Sequence, residues 1–349
     1  PRTGDMVRSI FFFFWRYTMT MTFNARIPAR CFGLESDRTV LGFVPTDAPN
    51  GTRFAELDDD YSFNPQMFEE LRMWWETENT AEPLYLSGPA GCGKTSGVMQ
   101  FLARVNASAV TLTCRRRMDK YELIGSYSSQ DGKLVWVDGP ALIAWRTGAV
   151  LVINEMTSAP ADVWVACNDL LEGDAIVVDR TGEVVPRHPN TRVIFTDNRP
   201  LGDGGETDQY LGRNAQDASV LDRCWHIACN FPSFDEQVEL IWKKAKHLAN
   251  GLDTDRARNI VKEVVQLAGE VRENKHTNAY DTVTMSNRGM LRFVSMLFAF
   301  AKAPKKPDNA VQLALGMTIA NGISVAAASG LQNALTYEHA KLLSLVMKA

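Results

Sequence analysis

The chain has 349 residues, 45% of them hydrophobic and 22% charged, with a formal net charge of −4. That length accommodates two domains, or one α/β core with an appendage, and the composition is ordinary for a globular protein. The negative balance argues against nucleic-acid binding through bulk charge, leaving only a local basic patch open, and no apolar run is long enough to span a membrane. Cys31, Cys92, Cys114, Cys167, Cys224 and Cys229 lack C-x-x-C spacing. They read as reduced thiols of a cytoplasmic protein, outside any disulfide or zinc framework.

In chain order, residues 1–18 hold the apolar run Ile10–Trp15 and are expected to be a leader or disordered extension outside the fold. A signal peptide, for which no small-residue cleavage site follows, and an arm docking on a neighbouring subunit are the alternatives. Residues 19–60 form an N-terminal segment punctuated by Pro28, Gly33, Gly42, Pro45, Pro49 and Gly51. An α/β core is expected over 61–230. It opens with helical spacing through Met67, Leu71 and Trp74, then a short strand, Leu84-Tyr85-Leu86, entering a glycine-rich loop. Helical spacing resumes at Val98, Phe101, Leu102 and Val105, and strands follow at 109–113, 149–153, 192–195 and 225–228. Two hairpins are expected, one around Ser128–Gly132 and one around Asp179–Gly182, with a helix through Val163, Val165 and Leu170-Leu171 between them. Beyond Phe231 only helical segments remain, at 234–250, 254–272, 287–302 and 308–347, predicting an all-helical domain over 231–349. Strand–helix alternation followed by helices alone predicts a parallel sheet with a helical lid.

The loop Gly88-Pro89-Ala90-Gly91-Cys92-Gly93-Lys94-Thr95, followed by Ser96, fits G-x-x-x-x-G-K-[ST]. Glycines let successive backbone N–H groups curl around phosphates, and the helix behind adds partial positive charge. Lys94 is then placed to reach the β- and γ-phosphates of ATP, and the Thr95 hydroxyl to bind Mg²⁺. A P-loop enzyme also needs acidic residues at the end of a buried strand. The strand 149–153 ends in Asn154-Glu155, about sixty residues beyond Lys94. Glu155 fits a general base. Asn154 either holds Mg²⁺ through a water, more weakly than an aspartate would, or caps the next helix. Asn198, in Thr196-Asp197-Asn198, either orients the lytic water or forms a turn before Arg199-Pro200. Arg223, before the last core strand, and Arg288, opening a lid helix, are by themselves merely exposed arginines. Arg115-Arg116-Arg117 is the one dense basic run, and reads as a solvated loop or as a face toward a pore, a subunit or nucleic acid.

From about Cys31 onward the chain resembles the MoxR-like branch of AAA+ ATPases, and most of all the CobS family, the ATPase subunit of aerobic cobaltochelatase. The stretches carrying the resemblance are Cys31–Asp37, the P-loop, Leu123-Ile124-Gly125, Val137–Pro140, Pro186–Pro189, Leu201-Gly202-Asp203, Leu221-Asp222-Arg223 and Ser286-Asn287-Arg288. The resemblance implies a P-loop NTPase core with hairpin inserts before the Walker B strand and before sensor 1, and a homo-oligomeric, hexameric ring with ATP at subunit interfaces. It makes Asn198 sensor 1, Arg223 a finger reaching the neighbour's ATP, and Arg288 a lid residue sensing the γ-phosphate. It also implies work on a partner protein, often one with a von Willebrand A-type domain. Asn154 departs from the family's usual aspartate and puts hydrolysis in question more than binding. A weakly hydrolysing adaptor ring and a nucleic-acid-directed ATPase are therefore carried as alternatives.

Overall fold

The structure is a computed structural model, and its described residues are 22–33, 37–77, 81–198, 216–273, 285–322, 327–329, 331 and 340–348. The expectations for residues 1–18, for Arg199-Pro200, for Leu201-Gly202-Asp203 and for a break at Asn274 lie outside them. By its internal contacts the chain divides into two units. The first runs through Gly88 and again from Lys94 to Cys229, and the second joins Pro89–Gly93 to the residues from Asn230 onward.

In the first unit the strands are β1 (Phe23–Pro28), β2 (Thr39–Phe43), β3 (Leu84–Ser87), β4 (Ala109–Thr113), β5 (Gly125–Gln130), β6 (Lys133–Asp138), β7 (Val150–Asn154), β8 (Ile176–Val178), β9 (Glu183–Val185), β10 (Arg192–Thr196) and β11 (Trp225–Ala228). Five of them form one parallel sheet in the order β11-β3-β10-β7-β4. Both faces of β7 are buried, which is why Val150 to Ile153 reads as an unbroken apolar run. β10 lies between β3 and β7, with Thr196 paired to Leu86 on one side and to Asn154 on the other. This order brings the loop after β3, the end of β7 and the end of β10 side by side.

The helix Pro65–Glu76 starts where Asn64 caps it, the carboxamide accepting from Met67 N–H at 3.1 Å, with Pro65 fitting the first turn. It buries Met67, Phe68, Leu71, Trp74 and Trp75 along one stripe. The helix Lys94–Arg104 likewise buries Val98, Phe101 and Leu102.

Three expectations are corrected. The N-terminal segment, read as broken by turn formers, contains the antiparallel pair β1–β2. Its strands are short and their apolar residues meet a helix distant in sequence: Phe23 and Phe43 stack within 5.7 and 6.2 Å of Trp75, and Trp75 Nε1 donates to Leu41 O. The single helix expected through Val163 and Leu171 is two, Ala161–Val165 and Asn168–Glu172, parted by Cys167, whose φ of −118° and ψ of 35° leave the helical region. The helical segment expected at 308–347 is not continuous among the described residues, which show Ala310–Thr318, a 3₁₀ turn at Ala320–Gly322 and Ala340–Met347. Both hairpins form, as β5–β6 and β8–β9. Arg146 ties them together, bonding Asp138 at the end of β6 and both carboxylate oxygens of Glu183 in β9.

The second unit is helical wherever it carries regular secondary structure among the described residues: Phe234–Ala245, opened by a Ser233/Glu236 capping box, then Thr254–Glu273, Asn287–Lys302, Ala310–Thr318 and Ala340–Met347. Its core gathers Ile241, Val264, Phe293, Phe298, Leu315 and Val346.

Candidate nucleotide site

The loop after β3 takes the shape its glycines permit. Gly88, Gly91 and Gly93 have φ of 144°, 75° and 107°, values that side chains rarely adopt. A Cβ at Gly88 would lie 2.0 Å from the carbonyl oxygen of Cys229, so the backbone there also passes too close to β11 for any other residue. Pro89, Ala90 and Cys92 fill out the loop. Lys94, Thr95 and Ser96 begin the helix behind it.

Lys94 is buried, and its ammonium donates to Gly88 O at 2.7 Å and to Asn198 Oδ1 at 3.0 Å. The Asn198 amide in turn donates to both carboxylate oxygens of Glu155, at 2.9 and 3.1 Å. Lys94, Asn198 and Glu155 are thus joined in one hydrogen-bonded chain. Beside it, Asn154 Oδ1 accepts from Thr95 Oγ1 at 3.0 Å and from Thr196 Oγ1 at 2.9 Å. Asn154 caps nothing: the residue preceding the following 3₁₀ turn is Glu155, and the Asn154 side chain faces Thr95 instead.

Glu155 sits in the left-handed region at φ 59° and ψ 46°, a conformation costing on the order of 1 kcal/mol for a residue with a Cβ. Two contacts with the end of β10 hold it there. Glu155 N–H donates to Thr196 O at 2.7 Å, and the buried Asp197 carboxylate accepts from Thr157 N–H at 2.6 Å and from its hydroxyl at 3.0 Å. Thr196 and Asp197 are the site residues that sequence reasoning passed over. Their only signal was position, two polar residues directly preceding Asn198 at the end of an apolar strand.

The predicted arginines are placed otherwise. Arg223 follows the short helix Ala218–Asp222 and is engaged within its own chain, by Glu172 at 2.9 Å and by Ser219 O at 2.7 Å. Arg288 is exposed in the first turn of Asn287–Lys302, in the second unit. Arg115, Arg116 and Arg117 are exposed in the loop after β4, with Arg115 paired to Glu122 at 2.6 Å.

The donor set suits a phosphate ligand and a hard cation. The loop offers glycine backbone and a buried ammonium. Thr95, Asn154 and Thr196 bring three oxygens together, the ligand atom magnesium prefers, although none of the three carries a charge.

Residues 83–214 match the family model for the AAA domain of the dynein-related subfamily. The chain is similar to ATPases of the MoxR-like AAA+ branch. It is 31% identical to protein NorQ of Paracoccus denitrificans over 54% of this chain and 64% of that protein. It is 31% identical to protein CbbQ of Hydrogenophilus thermoluteolus over 33% of this chain and 44% of that protein. The aerobic cobaltochelatase subunit CobS of Sinorhizobium is also similar, at 26% identity over 68% of this chain and 70% of that subunit. The chain thus spans less than two thirds of the length of NorQ and of CbbQ. Among the described residues no helix is long and apolar enough to cross a membrane.

Proposed function

We propose that this chain is the ATP-hydrolysing subunit of a homo-oligomeric AAA+ ring that remodels or activates a partner protein. The observation carrying the reading is the chain from Lys94 through Asn198 to Glu155, which supplies a phosphate-binding cation, a polar positioning group and a carboxylate base within hydrogen-bond reach of each other.

In this reading the loop Gly88–Thr95 and Ser96 cradle the phosphates, and Lys94 neutralises the γ-phosphate end. Thr95 directly, and Asn154 through a water, would hold Mg²⁺, which supplies charge neutralisation of the phosphates when bound. The Glu155 carboxylate accepts a proton from the attacking water, and Asn198 fixes both the carboxylate and that water. Arg223 would leave Glu172 to reach the neighbouring subunit's nucleotide, adding positive charge where the phosphoryl transition state is most negative. Arg288 would report the γ-phosphate to the helical unit. The two hairpins, with Leu134 and Val184 exposed at their edges, are the surfaces for a partner, which on the family pattern carries a von Willebrand A-type domain.

The test is phosphate release by the purified chain with and without Mg²⁺. Lys94→Ala should lose nucleotide binding. Glu155→Gln should bind and not turn over. Arg223→Ala should bind normally and fail to hydrolyse even when assembled, and intact turnover by that variant would remove the finger assignment. Asn154 supports a second reading, a nucleotide-gated adaptor ring, because a neutral amide stands where a carboxylate would hold the cation more firmly. Nucleotide-dependent assembly without measurable turnover would favour it.

A further inference from the structure

A chain of polar side chains crosses three helices of the second unit and ends one residue before Arg288. Arg272, near the end of Thr254–Glu273, donates from Nη2 to Gln237 Oε1 at 2.9 Å, and Gln237 Nε2 donates to Asn287 Oδ1 at 2.6 Å. Gln237 is only 2% exposed. Arg272 also donates from Nε to Ala268 O at 2.8 Å, and its guanidinium lies 4.1 Å over the Phe231 ring. Among the described residues it has no carboxylate partner, and burial pushes its pKa down to about 10. Apolar side chains of similar size would join these helices at least as firmly, since a cation buried without an anion is costly. What directed hydrogen bonds add is a fixed geometry for the group at the end of the chain.

That group is Asn287, the first residue of Asn287–Lys302. The same turn is also held at Ser286, which caps the helix by accepting from Gly289 N–H at 3.1 Å. Gly91 of the phosphate loop, which belongs to the second unit, packs on that cap so closely that a Cβ on it would lie 2.4 Å from Ser286 Cβ. Arg288 follows directly, exposed and without an ion pair among the described residues, so its charge stays available. We propose that Arg272 and Gln237 are positioning residues: through Asn287 they fix the first turn of this helix beside the phosphate loop, so that Arg288 favours a nucleoside triphosphate over a diphosphate. The inference rests on the reading of Arg288 as the residue that senses the γ-phosphate.

The experiment uses the full chain with Mg²⁺ and compares, by titration calorimetry, its affinity for a non-hydrolysable ATP analogue with its affinity for ADP. Arg288→Ala should lower the analogue-over-ADP ratio by about tenfold or more, the loss of one hydrogen bond to a charged group. Arg272→Met, which keeps the packing on Phe231, and Asn287→Ala should each lower it by about threefold or more, with ADP affinity unchanged. Combined with Arg288→Ala, neither should lower it further. A purely structural role would weaken both nucleotides equally, or act alike with and without Arg288, and either result overturns the proposal. Should Arg272→Met fail to fold, Asn287→Ala, at a half-buried position, decides the matter. A loss in Arg288→Ala with none in the other variants removes the positioning role alone, whereas no loss in Arg288→Ala removes the γ-phosphate reading beneath it.

Discussion

Replacing Asn154 by aspartate probes the one position where the candidate site lacks a charge its chemistry could use. Asn154 Oδ1 already accepts from Thr95 Oγ1 at 3.0 Å and from Thr196 Oγ1 at 2.9 Å, so a carboxylate oxygen keeps both donors without moving the strand. Each such bond would strengthen from about 1 kcal/mol toward about 1.5–3 kcal/mol when its acceptor becomes charged. What is lost is the contact from Asn154 Nδ2 to Leu112 O, which at 3.5 Å is weak, although an oxygen there would face a carbonyl and offset part of the gain. The variant is therefore expected to fold with little change in stability. Its effect should fall on the metal: groups in the outer coordination shell shift metal affinity by about 10–100-fold, or roughly 1.4–2.7 kcal/mol. Phosphate release measured across a Mg²⁺ titration should show the half-saturating concentration falling by that factor. Turnover at saturating Mg²⁺ then separates the two functional readings. A large rise favours the adaptor, and no change means that the amide serves hydrolysis as it stands. An unaltered Mg²⁺ dependence would refute the reasoning, because it would mean that residue 154 is not next to the cation.

Glu155→Gln should retain nucleotide binding, read with a fluorescent ATP analogue, and lower phosphate release by about 10²–10⁴-fold, the usual range for a general base. Thr196→Val removes one of the two hydroxyls that Asn154 accepts from and should cost about 1 kcal/mol in urea unfolding. Gly88→Ala should destabilise the chain and abolish nucleotide binding together, since the added Cβ would lie 2.0 Å from Cys229 O. Hydrogen bonding to Arg146 holds the Glu183 carboxylate below its ordinary range. That contribution is complete above the ordinary carboxylate pKa and disappears as pH falls through the depressed value. Arg146→Ala should accordingly flatten the acid limb of a stability–pH profile, by well under about 1 kcal/mol because Glu183 is half exposed.

Much of the core was legible in the chain itself, because its signals are local. A buried parallel strand is a run of apolar residues, a phosphate loop is a set of glycines before Lys94 and Thr95, and the hairpins announce themselves through the turns Asp131-Gly132, before Leu134–Val137, and Asp179–Gly182, between two valine pairs. The β1–β2 pair was hidden because Phe23 and Phe43 are explained by Trp75, more than thirty residues away from the nearer of them. The break at Cys167 was hidden because helical spacing continues across it while the backbone does not.

For the site, the sequence by itself nominated residues for the proposed chemistry: Lys94 and Thr95 at the head of one helix, Glu155 just after β7 and Asn198 just beyond β10. Only the tertiary structure decided how they meet. Inserting β10 between β3 and β7 sets Thr196 opposite Asn154, turns Asn154 toward Thr95 and lets Asn198 reach both Lys94 and Glu155. The same strand holds Glu155 in its left-handed turn through Thr196 and Asp197. Strand order is set by long-range packing of apolar faces, which carry no mark of their neighbours, so no stretch of the chain read alone could reveal it.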